Sequence, residues 1–95
     1  MIQVVAKKFI FPNQIDEYIE TTKELIELTR KEAGCIQYSL CQDSNTPNII
    51  SFIEQWESRE HLKAHMETEH FQRLVPLLAT FNEREGELNI YEVLI

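Results

Sequence analysis

Ser51-Phe-Ile-Glu-Gln-Trp-Glu-Ser-Arg-Glu-His-Leu-Lys-Ala-His-Met-Glu-Thr-Glu-His-Phe71 decides the fold, because within one stretch it passes from a strand pattern to a helix pattern. Ile49 to Glu57 reads as a strand: β-branched and aromatic residues dominate, and Ile50, Phe52, Glu54 and Trp56 share one face at the two-residue period. Ser58 is a capping residue, and a short helix follows it through Met66. Thr68 can cap a second helix starting near Glu69, whose apolar positions Phe71, Leu74, Val75, Leu78 and Phe81 keep helical spacing. Pro76 should kink or divide that helix, since it has no N–H to give and crowds the preceding turn. The same stretch holds the only Trp of the chain and all three His.

Toward the N-terminus, Cys35 to Gln42 alternates, with Ile36, Tyr38 and Leu40 on one face and Cys35, Gln37, Ser39 and Cys41 on the other. The turn formers Asp43-Ser-Asn-Thr-Pro-Asn48 separate it from Ile49, which predicts an antiparallel hairpin. Upstream, Ile15, Tyr18, Ile19, Thr22, Leu25, Ile26, Thr29 and Ala33 mark one face of a helix with Asn13 as N-cap and Gly34 as its stop. Its Glu and Lys residues fill the other face and read as solvated. Ile2 to Phe9 is a first strand and Glu87 to Leu94 a last one. The order is β-α-β-β-α-β: an α+β, ferredoxin-like arrangement with an antiparallel sheet and helices on one face, in a single domain spanning 1–95. Strands one and four carry apolar residues on both faces, Val4 beside Val5 and Ile90 beside Tyr91, so the open sheet face needs a cover. A second copy, sheet against sheet, would supply it as a homodimer; a monomer with a mixed outer face is the other possibility.

Composition narrows the partners. With 9 basic against 16 acidic residues and a net charge of -7, the chain lacks the clustered cations that bind nucleic acid or an anionic membrane. It has no long apolar run, and Met1-Ile-Gln-Val-Val-Ala-Lys-Lys lacks the order of a signal peptide, which predicts a cytoplasmic protein. Cys35 and Cys41 on one strand would stand roughly 20 Å apart, too far to pair, and a reducing compartment suits both. No C-x-x-C spacing suggests a metal, and with only Gly34 and Gly86 there is no phosphate-cradling loop for a nucleotide or flavin.

His61 and His65 are four apart and share a helix face, a spacing metals use, but the third-ligand candidates Glu57, Glu69 and His70 lie across the predicted helix caps. His65 falls next to the core-facing stripe of Leu62 and Met66, and His61 at its edge. Two readings of His65 stand: a packed histidine, or a neutral imidazole lining a pocket and able to move a proton near pH 7. Glu54, on the apolar face of its strand, would need a donor, and His65 is the expected partner. Trp56 is a large core residue or a pocket wall, and Tyr38 lines the same interior.

The E-x-W of Glu54-Gln-Trp56, then Ser58, the L-x-x-H of Leu62 to His65 and the pair His70-Phe71 resemble the antibiotic biosynthesis monooxygenase family, in particular its small quinol-monooxygenase-like members. The resemblance spans essentially the whole chain. It implies a dimeric α/β barrel with a pocket between sheet and helices, Trp56 and His65 at its wall and His70 near its mouth. It further implies a cofactor-independent, metal-free monooxygenase that oxidises a small quinol or phenol with molecular oxygen. In that scheme His65 is the base or a hydrogen-bond partner of the substrate, Glu54 its orienter and Trp56 a third site residue, while Tyr38, Phe52, His70 and Phe71 contact substrate. Haem-degrading members use a later His and an Asn on the first strand; neither is present here. A non-catalytic small-ligand module and an isomerase of a small oxygenated metabolite are the alternatives the family offers.

Overall fold

The computed structural model describes residues 1–95. Four antiparallel strands form one sheet in the order β2-β3-β1-β4, where β1 is Ile2–Ile10, β2 Cys35–Gln42, β3 Ile49–Trp56 and β4 Asn82–Glu92. Three helices, α1 (Ile15–Thr29), α2 (Arg59–Met66) and α3 (Glu69–Ala79), complete the α+β ferredoxin-like fold. The period-two pattern explains which sheet face they cover. Ile2, Val4 and Ala6 of β1, Ile50, Phe52, Glu54 and Trp56 of β3, and Tyr38 of β2 are buried with Tyr18, Leu25, Leu62, His65, Leu74 and Leu78 from the helices. The β2–β3 hairpin pairs as its turn residues predict. Ser58 and Thr68 cap α2 and α3, their hydroxyl oxygens each accepting a backbone N–H, from His61 and Phe71, at 3.2 Å.

Several boundaries depart from the pattern. Asn13 is not the cap of α1: Pro12–Gln14 winds a 3₁₀ turn and α1 starts at Ile15, with Gln14 making no side-chain cap bond. The helical period runs to Ala33, yet α1 ends at Thr29. Beyond it Lys31 and Glu32 donate to Leu28 and Thr29 in tighter three-residue turns, and the chain reverses at Gly34, whose φ is +78°. Pro76 does not divide α3; it falls in the last turns, where few helical bonds depend on it. β4 begins at Asn82, five residues before the apolar alternation does, because pairing to β1 carries the polar Glu83-Arg84-Glu85 edge across two register shifts. Arg84 covers the ring of Phe9 there at 3.7 Å. Ile36 sits at the β2 register shift and is turned outward, not inward with Tyr38 as simple alternation predicts.

Candidate functional site

A cavity of about 270 Å³ lies between the sheet and the helices, mostly apolar in its lining. Its walls include Tyr38, Phe52, Phe71 and Val75, and Leu88 and Ile90 of the edge strand flank it. Four polar groups enter it: Lys8, Glu54, His65 and Asn82. A wider hollow of about 620 Å³ between α1 and β2 is an open surface groove rimmed by Lys23, Glu27, Arg30 and Lys31, with none of the aromatic walls or histidines. The apolar cavity between sheet and helices is the candidate site.

His65 is its most constrained residue. It is 1% exposed, projects from α2, and is boxed by Trp56, Phe71 and Tyr38 with ring centroids at 4.7, 5.0 and 5.4 Å. Its Nδ1–H donates to Glu32 Oε2 across 2.8 Å, and the same oxygen accepts from His70 Nε2 across 2.6 Å. A carboxylate can only accept, so it fixes the neutral tautomer of His65 with the proton on Nδ1 and the lone pair on Nε2. Nε2 is buried with no hydrogen-bond partner. Burial holds the imidazole below its ordinary pKa, and the Glu32 bond only partly offsets this.

Glu54 is also buried, but its Oε1 accepts from Trp56 Nε1 at 3.0 Å. The expected Glu54–His65 pair is therefore absent: two residues apart on one strand face, Glu54 and Trp56 satisfy each other, and Glu32 takes the imidazole. Burial pushes the Glu54 carboxyl up to about 7, with the Trp56 N–H pulling the other way. Burial first, and then the Glu54 charge, hold the Tyr38 phenol well above its usual range, so it stays protonated.

The sequence-predicted residues thus divide. Tyr38, Phe52, Glu54, His65 and Phe71 meet at the cavity. Trp56 does not line it; it is 0% exposed and backs His65 and Glu54 from within the core. His70 does not line it either, standing on the far side of Glu32. His61 turns to the Ser58 hydroxyl, its Nδ1 at 2.7 Å, and joins no cluster with His65. Glu32 was hidden because it falls within a periodic charged helix pattern and meets its partners 33 and 38 residues away. The donor atoms of Glu32, His65 and His70 lie within 4.8 Å of one another. Their 2.6 and 2.8 Å contacts are hydrogen-bond lengths, shorter than the roughly 3.3 Å edge between ligands of a tetrahedral site with bonds of about 2.0 Å.

A ferredoxin-like α+β chain with an aromatic cavity between sheet and helices is the class that this architecture defines. The chain belongs to the antibiotic biosynthesis monooxygenase family, whose model matches residues 1–77. It is 32% identical over 92 residues to an uncharacterized protein of Synechocystis, covering 97% of this chain and 63% of that protein, so it spans under two thirds of that relative's length. It is 32% identical over 82 residues to the "Probable quinol monooxygenase YgiN" of Escherichia coli, covering 76% and 79% of the two chains. A crystal structure of an antibiotic biosynthesis monooxygenase superposes over 100% of both chains with a TM-score of 0.92 at 38% identity.

Proposed function

We propose that the protein is a cofactor-independent monooxygenase that oxidises a small quinol or phenol with molecular oxygen. The observation that carries this is the bare Nε2 of His65, held beside an apolar cavity while Nδ1 is anchored on Glu32. His65 Nε2 takes the proton of the bound hydroxyl, and Glu32 stabilises the imidazolium that forms. The electron-rich aryloxide then reduces oxygen itself. For a quinol, one oxygen atom enters the ring, which leaves as the hydroxyquinone, and the other departs as water. Tyr38, Phe52 and Phe71 orient the ring and exclude water. Trp56 acts as a positioning residue through Glu54 and His65. Family membership and the resemblance to YgiN support the reading.

The active form in this proposal is a homodimer. On β4, Leu88 and Ile90 flank the cavity on the helix side yet are 63% and 42% exposed, and Tyr91, on the outer sheet face opposite Gln3, is exposed too, so apolar surface of this edge strand is open on both faces. A second copy would cover them.

Oxygen uptake with a panel of reduced quinones tests the chemistry. The expected result is turnover that falls by at least about 100-fold in His65→Ala. Undiminished uptake in that variant would remove His65 as base, and binding without uptake would make the chain a ligand-binding module.

A further inference from the structure

We propose that the cavity takes an anionic aromatic, a hydroxylated ring bearing a carboxylate, with Lys8 as the anchor for the negative group. This specifies the substrate of the proposed site and rests on that reading.

Lys8 shares the face of β1 with Ile2, Val4 and Ala6, the face buried under the helices, and it lines the same cavity as His65 and Glu54. A cation at a helix-facing strand position is costly unless something compensates it. Its neighbour Lys7 points the other way, over the Phe9 ring at 5.5 Å. The close ion pairs of the molecule engage Lys23, Lys31, Arg59, Arg73, His65 and His70 and none engages Lys8, whose charge acts on Glu54 only at longer range, pulling that carboxyl's pKa down against burial. Room for its stem comes from Gly86, where a Cβ would stand 3.2 Å from Lys8 Cδ and 2.4 Å from the Lys7 carbonyl oxygen.

A second polar group waits at the same end. Asn82 also lines the cavity, pairs with Ile10 two residues beyond Lys8, and has a buried side-chain carbonyl with no partner. Rotation of that amide would turn its NH₂ toward a carboxylate beside the ammonium. Glu54 lies opposite Val4 whereas Lys8 lies opposite Ile50, so the two charged positions are four residues apart along the sheet, about 13 Å. That interval along the sheet admits a one-ring acid. Such a ligand would set its carboxylate on Lys8 and Asn82, its ring against Phe52, and its hydroxyl at His65 Nε2. The net charge of -7 repels anions in general, so selection of one requires a cation inside the cavity.

Calorimetric titration of the full chain with 2,5-dihydroxybenzoate and with uncharged hydroquinone tests the inference. The expected result is that the carboxylated quinol binds about tenfold tighter, that Lys8→Met brings the two within about twofold, and that Lys8→Arg restores the preference. Equal affinities in the native protein, or a preference that survives Lys8→Met in a variant of unchanged melting temperature, would overturn it. Oxygen uptake measured on both compounds separates this from the functional proposal. Charge-selective binding without uptake upholds the anion site and sinks the oxygenase, uptake without charge preference does the reverse, and binding of neither compound sinks both.

Discussion

Two buried ionisable groups share the cavity with opposite consequences for stability. Glu54, raised to about 7, binds its proton more tightly in the folded chain than in the unfolded one, where it titrates near 4.5. Its contribution is therefore fully present below pH 4.5 and declines as pH rises to about 7. His65, lowered by burial, acts the other way: below its ordinary 6.5 the unfolded chain takes up a proton that the folded one resists. Glu54→Gln isolates the first effect while keeping an acceptor for Trp56. Urea unfolding should show that substitution becoming more favourable between about pH 4.5 and 7, by up to about 3 kcal/mol, and constant above. A difference that stays flat with pH would show that Glu54 titrates normally. At this scale the sequence was informative wherever a period decides direction. Two-residue spacing aims Glu54 and Phe52 inward, and the stripe with Leu62 does the same for His65. The hydrogen-bond partners were not legible, because Glu32 reaches His65 only through a chain reversal that helical periodicity extends straight past.

That reversal is the element on which the site depends. α1 stops four residues short of its apolar pattern, and Gly34 turns the chain into β2 with Glu32 aimed at the two histidines. A Cβ at Gly34 would lie 2.2 Å from His61 Cγ, in addition to the cost of a side chain at φ +78°. Gly34→Ala should destabilise the fold by about 2 to 3 kcal/mol in chemical denaturation. His61→Ala in the same chain should recover about half of that, since it removes the collision and leaves the backbone strain. No recovery would show that the dihedral alone sets the cost. Element order, the hairpin and both α2 and α3 caps were readable from turn formers and hydroxyl side chains, which act locally. The start of β4 was not, because Glu83-Arg84-Glu85 is held by pairing with β1 and carries no strand signal of its own.

For the whole molecule, the proposed dimer makes a direct prediction. Sedimentation equilibrium should give twice the 11.3 kDa mass of the chain at micromolar concentration, and Tyr91→Glu, at a half-exposed position on β4, should shift it toward one chain without unfolding it. A single-chain mass at every concentration would refute the assembly. The outer sheet face showed in the sequence as mixed, and its polar members Gln3 and Gln55 do pair there, side chain to side chain at 3.2 Å. The packing of Trp56 on His65, centroid to centroid at 4.7 Å, has a practical consequence. Because it is the only indole in the chain, all tryptophan emission comes from beside the proposed base, and a protonated imidazole quenches an adjacent indole. Emission should fall only at a pH below the ordinary imidazole range, since burial lowers the pKa of His65, and His65→Gln should abolish that step. The protein then carries its own optical proton gauge, readable without a bound substrate.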